Sequence, residues 1–225
     1  MTEATDSKSG IVRMHLIHAA AREFALKPYT LVSLDDILAH ADVTKGAMYG
    51  HFRSKHALAV AVIEHRAMLL QESLDELSTR SPSALETLID VTYVVAVSDC
   101  GEDMARAALN LLESVGRFDG LQPIFTDAWI AGFAEYVRLA VEQEDVIHCA
   151  DPTAVARVIV SMYLGLRQTS DLNDPTTLIG DLEASWLLAL PGFADPRRLD
   201  YLRGFIRRRS ALAIRNTAPL VRGNL

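Results

Sequence analysis

The residues whose types best suit a chemical role lie close together, in the segment TKGAMYGHFRSK from Thr44 to Lys55. Lys45, Arg53 and Lys55 are basic, and the segment contains no acidic residue. Concentrated positive charge suits phosphate oxygens, and a lysine can also donate to guanine acceptors in the major groove of DNA. The segment therefore predicts a contact with nucleic acid.

The same segment has the features of a short helix that begins at its binding surface. Thr44 can cap it by accepting a hydrogen bond from a backbone N–H two or three positions on, and the remaining N–H groups suit a phosphate. Gly46 costs about 1 kcal/mol relative to alanine inside a helix, a cost that makes sense if the backbone approaches another molecule closely. The predicted DNA contacts are Ser33, Thr44, Lys45, Gly46, Ala47, Tyr49, His51 and Lys55.

The charge distribution is uneven in a way that favours this interpretation. The chain has 225 residues and a net charge of −7, which by itself argues against nucleic-acid binding. Residues 1–66 hold eight basic and seven acidic residues, whereas the remainder holds 14 and 22. The positive charge is thus concentrated near the N-terminus, and the C-terminal part is acidic.

The elements that would position this segment are helices. A first helix over roughly residues 10–26 has one apolar stripe of Ile17, Ala20, Ala21 and Phe24 and ends at Lys27-Pro28. Ser33 and Asp36 have the spacing of a capping box and open a second helix. Asp42-Val43 is long enough only for a tight turn before the helix that begins at Thr44. Two short helices joined by a tight turn behind a supporting helix make a helix-turn-helix.

Helical periodicity continues to the end of the chain, and strand signals are nearly absent, so we predict an all-α protein. A long amphipathic helix over residues 55–78 suits a strut between two domains. The predicted division is a flexible arm at 1–9, a three-helix DNA-binding domain at 10–54, the connecting helix, and a larger helical ligand-binding and dimerisation domain at 79–225.

Several functional classes are disfavoured. The chain lacks a long apolar stretch and an N-terminal leader pattern, so we expect no membrane insertion and a cytoplasmic location. Cys100 and Cys149 lack metal-ligand spacing, and we expect both to be reduced, with no metal or cofactor. No nucleophile elbow, phosphate-binding loop, dinucleotide fingerprint or zinc-protease motif is present, so we expect no enzyme.

The segment from Val43 to Glu64, VTKGAMYGHFRSKHALAVAVIE, resembles the DNA-binding domain of the TetR family of bacterial transcription regulators. The matching positions are Thr44, Lys45, Gly46, Ala47, Tyr49, His51, Phe52, Ser54 and Lys55. The resemblance implies a homodimer that binds a double-stranded DNA operator, usually as a repressor that a small effector releases, although activation stays open.

A second resemblance covers the C-terminal two-thirds. The patterns PIFTDAW (123–129), DPTAVARVIVSMYLG (151–165) and WLLALPGFADPRRLDYL (186–202) are similar to the γ-butyrolactone receptor branch of that family. This resemblance implies a tryptophan in the ligand pocket at Trp129. Independently, large apolar or amphipathic side chains spread over four helices could enclose a small hydrophobic effector. The predicted ligand contacts are Tyr93, Met104, Leu112, Phe125, Trp129, Phe133, Tyr136 and Tyr163.

Useful operator specificity calls for two helix-turn-helix copies, because each reads only a few base pairs. Two apolar helix faces near the C-terminus could form a four-helix dimer interface across a two-fold axis. The predicted interface residues are Val155, Val158, Ile159, Met162, Leu166, Leu178, Leu182 and Trp186. These faces could instead be core of the single chain.

The residues also allow a purely structural interpretation of the basic segment. Thr44 could be a simple cap, Tyr49 and His51 could be half-buried packing, and Lys55 could be a solvated helix start. The whole chain could likewise be an all-α protein-interaction module without sequence-specific DNA binding. Such a module would not account for Gly46 or for the acid-free basic segment.

Overall fold

The structure is a computed structural model that describes residues 2–80, 83–217 and 220. The described residues are helical almost throughout, as predicted. The helices in chain order are α1 (Thr2–Leu26), α2 (Leu34–Ala41), α3 (Lys45–His51), α4 (Lys55–Arg80), α5 (Ala84–Gly101), α6 (Asp103–Glu113), α7 (Val115–Phe118), α8 (Leu121–Glu142), α9 (Pro152–Thr169), α10 (Pro175–Ala189) and α11 (Leu199–Asn216).

The start of the first helix differs from the sequence prediction. Helix α1 begins at Thr2, inside the stretch predicted as an arm, and no proline or glycine between residues 2 and 9 would stop it there. Helix α6 ends at Glu113. Ser114 follows it, and its hydroxyl donates to the Asn110 carbonyl at 2.7 Å, which closes the helix before α7 begins.

The chain folds into two compact units whose boundaries differ from the predicted domains. The first unit comprises the residues up to Leu70 together with Glu102–Gln122. The second unit comprises the described residues of Gln71–Gly101 and those from Pro123 onward. Helix α4 runs without a break from one unit into the other. Helices α6 and α7, which the sequence assigned to the C-terminal domain, are thus part of the N-terminal unit.

The core of the first unit forms around α1, which packs against α2, α3 and α6. Its predicted apolar stripe is buried, and Ile37, Met48 and Leu58 contribute buried side chains from the next three helices. The Asn110 amide of α6 donates to the Phe24 carbonyl at 3.0 Å, near the end of α1. The supporting helix therefore has one face in the helix-turn-helix and another against α6.

The core of the second unit forms around α5, which packs against α10 and α11. Nearly every residue of α5 is buried, including polar ones. The indole N–H of Trp186 on α10 donates to the Thr92 hydroxyl at 2.8 Å, which satisfies a buried donor. Helix α9 packs on α10, and a short antiparallel bridge pairs Val146 with Ala194.

Candidate DNA-binding and effector-binding sites

The helix that precedes the predicted reading helix begins with the predicted capping box. The Ser33 hydroxyl accepts from the Asp36 backbone N–H at 3.1 Å, and the Asp36 carboxylate accepts from the Ser33 N–H at 2.8 Å. The hydroxyl of Ser33 also donates to that carboxylate, and these hydrogen bonds hold the Asp36 pKa below its usual value. Ser33 is exposed, but its side chain is engaged in the cap.

The turn between α2 and α3 takes the tight form that the sequence predicts. Asp42 ends α2 in the left-handed conformation with φ of 51°, a conformation that aspartate tolerates better than most residues. Thr44 then caps α3, because its hydroxyl oxygen accepts from the Ala47 backbone N–H at 3.2 Å. Both local predictions about this turn are confirmed.

Helix α3 buries one face and exposes the other. Met48 and Phe52, at its end, are buried against the rest of the unit. Exposed on the other face are Lys45, Gly46, Ala47, Tyr49 and Gly50, whereas His51 is half-buried. Ala47 thus belongs to the open face and not to the packing face. With no acidic residue in its first turn, this face offers N–H groups and one ammonium to an anion.

Lys45 has a partner on the neighbouring helix. Its ammonium donates to the Asp35 carboxylate at 3.0 Å, and the two side chains remain 56% and 78% exposed. This contact raises the Lys45 pKa, because the charged form gains a hydrogen bond and an opposite charge. Because water screens an exposed pair of this kind, Lys45 can exchange Asp35 for a phosphate at little cost.

Nothing inside the protein requires glycine at position 46. A Cβ built there would meet no atom within 4 Å, and the same is true at Gly50. Neither residue has a positive φ. A close approach by another molecule therefore remains the physical reason for Gly46 that the sequence predicted.

Lys55 was predicted to contact DNA, but its side chain does not join the open face of α3. Its ammonium donates to the backbone carbonyls of Tyr29 and Val32, both at 2.7 Å, and lies 4.3 Å from the centre of the Tyr29 ring. Phosphate contact would compete with these three interactions. The expectation of a solvated helix start is also wrong, since the side chain is half-buried and bonded.

The predicted effector contacts are divided between the two units. Met104 and Leu112 lie buried on α6 in the first unit. The other six lie in the second unit, where Tyr93 and Tyr163 are buried and the four on α8 are half-buried. Burial raises the pKa of both tyrosines, so their hydroxyls stay protonated. The predicted effector contacts that lie in the second unit are therefore the four aromatic residues of α8 and the buried tyrosines Tyr93 and Tyr163.

The four aromatic residues of α8 follow one helical stripe. Trp129 and Phe133 pack, together with Leu164 of α9, against a buried apolar cluster whose members are Ile130, Ala134, Ala156 and Val160. Phe125 lies one turn before Trp129, with ring centres 6.5 Å apart. Aromatic side chains half-buried beside an apolar cluster are the kind of wall that lines small-molecule sites.

A buried polar network that sequence reasoning missed lies between α5 and α9. The Asp99 carboxylate accepts from the Tyr163 hydroxyl at 3.0 Å and from Nε of Arg167 at 2.8 Å. Side-chain exposures of Asp99 and Arg167 are 0% and 3%. The available signal was Arg167, a charged residue one turn after Tyr163 on the buried stripe of a helix.

A cleft of about 400 Å³ also lies in the second unit, away from the predicted effector contacts. Its lining is polar and charged: Ser83, Gln143, Glu144, Asp145, Arg197 and Arg198. This lining does not suit the apolar effector that the sequence predicts. The described residues hold no group of three or more side chains that could bind a metal ion.

The predicted dimer-interface residues separate into buried and exposed sets. Leu178, Leu182 and Trp186 have no exposed surface, and Val155 and Ile159 are also buried, in a core where α10 packs against α11, α5 and α9. These five form core of the single chain, and their side chains offer no surface to a second subunit. Val158 is 50% exposed, and Met162 and Leu166 are half-buried.

The outer faces of α9 and α10 carry small and apolar residues that remain exposed. Leu188 of α10 is 84% exposed although it is a large aliphatic side chain. The small residues on these faces are Ala154, Ser161 and Gly165 of α9 and Gly180 and Ala184 of α10.

Among the described residues, no helix is long and apolar enough to cross a membrane.

Comparisons with known proteins agree with this geometry. Residues 16–62, which contain the helix-turn-helix, match the sequence profile of the bacterial regulatory proteins of the tetR family. The chain is 29% identical over 189 residues to the A-factor receptor protein of Streptomyces griseus, an alignment that covers 84% of this chain and 66% of that protein.

Solved structures are similar over nearly the whole chain. A crystal structure of a gamma-butyrolactone receptor has a TM-score of 0.75 at 27% identity and covers 91% of this chain and 99% of its own. The TetR family protein CprB from Streptomyces coelicolor, in complex with its biological operator sequence, has a TM-score of 0.74 at 27% identity, with coverage of 91% and 99%.

The fold and the helix-turn-helix together define a DNA-binding regulator, a class of protein without catalytic function. Residues 16–62 match the DNA-binding domain of the tetR family of bacterial regulatory proteins, and the chain as a whole is similar to an A-factor receptor protein and to gamma-butyrolactone receptors.

Proposed function

We propose that the protein is a homodimeric repressor that binds a near-palindromic operator and leaves it when a γ-butyrolactone-type molecule enters the second unit. The observation that carries the DNA-binding part is the open face of α3. That face joins a capped helix N-terminus, an ammonium paired with an exposed carboxylate, and a glycine whose Cβ position meets no atom of the described residues within 4 Å. The regulator would act in the cytoplasm, where its DNA is.

On DNA, α3 lies in the major groove and its first turn meets the sugar-phosphate backbone and base edges. Lys45 leaves Asp35 for a phosphate or a guanine, and Gly46 lets the backbone come close. Tyr49, which is 50% exposed, donates its hydroxyl to a phosphate. Phosphate contacts set position and base contacts set specificity, so Lys45 is the residue that can serve both purposes.

The dimer forms through the outer faces of α9 and α10. Val158 and Leu188 supply exposed apolar surface, and Gly165, Gly180 and Ala184 let two helix pairs approach closely. A two-fold axis through this surface pairs each helix with its copy and yields a four-helix interface. Two copies of α3 then meet successive major grooves about 34 Å apart, one turn of the duplex.

The effector proposal combines the second unit with the names of its relatives, which are receptors for A-factor and gamma-butyrolactone. A butyrolactone has an apolar chain and a cyclic ester that accepts hydrogen bonds. Helix α9 carries Val160 of the apolar cluster and, one turn further, Tyr163 of the buried polar network. We assign the chain of the effector to Trp129 and Phe133, and its ester to the neighbourhood of Tyr163.

Release follows if the effector favours a form of the dimer in which the two reading helices no longer fit successive grooves. A ligand shifts such an equilibrium only through its different affinity for the two forms. Helix α4 is continuous from Lys55 to Arg80 and so joins the two units without a break in its backbone hydrogen bonding. We therefore assign transmission to α4.

The experiment that tests this proposal is fluorescence anisotropy with labelled duplexes tiled upstream of the protein's own gene. We expect saturable binding to one fragment, weaker binding at higher salt, and loss of that binding when a synthetic γ-butyrolactone is added. No preference for any fragment would contradict operator binding and favour an interaction module. Specific binding that the lactone leaves unchanged would contradict only the effector assignment.

Two single variants separate the parts of the proposal. Lys45→Ala should weaken operator binding and leave the response to lactone of the remaining complex intact. Trp129→Ala should leave operator binding unchanged and raise the lactone concentration that releases DNA. Equal lactone sensitivity of Trp129→Ala and the unmodified protein would remove Trp129 from the effector site.

A further inference from the structure

Lys55 ends the basic segment from Thr44 to Lys55, but its ammonium is bound inside the protein and does not resemble a phosphate ligand. Its ammonium donates to two main-chain carbonyls, those of Tyr29 and Val32, at 2.7 Å each. Charge-assisted hydrogen bonds are about twice as strong as neutral ones, and here both acceptors belong to one short loop. The bonded partners precede Lys55 in sequence by 26 and 23 residues.

This loop connects α1 to α2. It follows Pro28, contains one turn of 3₁₀ helix at Tyr29–Leu31, and ends at the extended Val32 and the cap Ser33. The Tyr29 ring stacks on Phe24 of α1 with centres 5.7 Å apart, and the Val32 side chain is buried. One ammonium at the start of α4 therefore fixes the end of α1 and the start of α2 together.

Helix α2 supports α3 directly through the tight turn at Asp42, so a shift at the start of α2 moves the reading helix. The ammonium also lies over the face of the Tyr29 ring, at 4.3 Å from its centre, which adds a cation–π attraction. A phosphate contact would have to draw the ammonium away from two carbonyls and this ring. Lys45 would have to give up only one exposed carboxylate.

We propose that Lys55 is a positioning residue of the helix-turn-helix: its ammonium holds the 28–32 loop, sets the orientation of the α2–α3 pair, and supports operator recognition without neutralising a DNA phosphate. This inference rests on the DNA-binding function proposed above. It gives the two lysines of the basic segment different roles: the Lys45 ammonium binds DNA, and the Lys55 ammonium holds the loop.

The salt dependence of binding tests the assignment, because each neutralised phosphate contributes about 0.9 to the slope of log affinity against log salt concentration. Lys55→Met and Lys45→Met remove one charge each and keep an unbranched side chain that is one atom shorter. We expect Lys55→Met to lose about tenfold or more in operator affinity with an unchanged slope, whereas Lys45→Met loses affinity and about 0.9 of slope. Lys55→Arg, which can still donate to both carbonyls, should restore most of the affinity.

Hydrogen exchange without DNA gives a second readout, which does not depend on the proposed function. Backbone amides of residues 29–38 should exchange faster in Lys55→Met than in the unmodified protein, and at the unmodified rate in Lys45→Met. A slope reduced by about 0.9 in Lys55→Met, or unchanged operator affinity, would overturn the proposal. If the unmodified protein prefers no DNA fragment, the proposal of operator binding fails. Unchanged hydrogen exchange in Lys55→Met would then overturn the loop assignment by itself.

Discussion

The two units place their polar side chains in opposite ways. In the first unit the groups assigned to function are exposed at helix ends, as at Thr44, Lys45 and Tyr49. In the second unit the polar groups beside the proposed effector site are buried, as at Asp99 and Arg167. An exposed group is available to a large partner such as DNA, whereas a buried group can act only on a molecule small enough to enter.

This difference also separates binding from stability. Exposed groups keep their hydration in the free protein, so their removal changes stability little and binding more. Buried ionic groups have lost their hydration and depend on their partners, so their removal destabilises the fold. Substitution of an exposed residue of α3 such as Lys45 should therefore change mainly DNA binding, and substitution of a buried ion-pair residue such as Asp99 should change mainly the free energy of unfolding.

The largest expected effect is the removal of Asp99. Asp99→Ala leaves the Arg167 guanidinium buried without its carboxylate, and breaking a buried pair in this way costs about 3–5 kcal/mol of unfolding free energy. Urea unfolding followed by tryptophan fluorescence measures it, because Trp129 and Trp186 both lie in the second unit. Asp127→Ala, at an exposed position of α8, is the control and should stay within about 0.5 kcal/mol of the unmodified protein.

The same contrast explains what the sequence could predict. The cap at Thr44 and the box at Ser33 and Asp36 involve partners three residues apart, so local spacing predicts them and the structure confirms them. The Asp99 network joins residues 64 and 68 positions apart, and no local pattern indicates such pairs. The acceptors of Lys55 are main-chain carbonyls, which every residue has, so the residue types do not indicate this contact.

Periodicity has a related limit in the second unit. It predicts that α10 has an apolar face, but not whether that face meets its own chain or a second copy. Trp186 lies in the chain core, where it donates to Thr92, a residue 94 positions away. Leu188, only two residues further, is exposed. Side chains on opposite faces of one helix thus divide between core and proposed interface, and only the packed structure separates them.

The next prediction concerns DNA binding and uses the two open glycines of α3. Gly46→Ala should reduce operator affinity about tenfold, because a methyl group would stand between the first turn of α3 and the duplex. It should not destabilise the protein, since the Cβ meets nothing in the chain and alanine favours helix. Anisotropy titration measures the affinity, and thermal unfolding measures the stability.

Gly50→Ala is the matched control for this substitution, because position 50 is equally open and lies at the other end of the same helix. It should have the same small effect on stability without the loss of affinity. Equal affinities for the two variants would mean that α3 does not approach DNA with its first turn.

A smaller effect is expected at the cap of the reading helix. Thr44→Ala removes the acceptor of the Ala47 N–H and should cost about 1 kcal/mol in the stability of the first unit. Thr44→Ser preserves the hydroxyl and should recover most of this loss. Hydrogen exchange of the α3 amides measures the change locally. An unchanged exchange rate at Ala47 in Thr44→Ala would show that the cap does not hold this helix end.

The smallest effect belongs to a partly exposed ion pair of the second unit, Asp195 with Arg197, whose side chains are 16% and 71% exposed. Nε of Arg197 donates to the Asp195 carboxylate at 3.0 Å and its backbone N–H donates at 2.8 Å, which together lower the Asp195 pKa to about 2. Since the folded state lowers this pKa, the pair stabilises the protein above the ordinary carboxyl pKa of about 4, and this contribution is lost as pH falls towards 2.

Asp195→Asn should therefore lower the free energy of unfolding slightly at neutral pH, and the difference from the unmodified protein should shrink as pH falls below about 4. A carboxyl carbon titration by NMR measures the pKa of Asp195 directly, and a midpoint near 4 would contradict the assignment. Compared with Asp99, the same charge types in a partly exposed pair should matter far less, because water reaches the Arg197 side chain but not Arg167. An Asp195 effect as large as that of Asp99 would mean that burial is not what separates the two pairs.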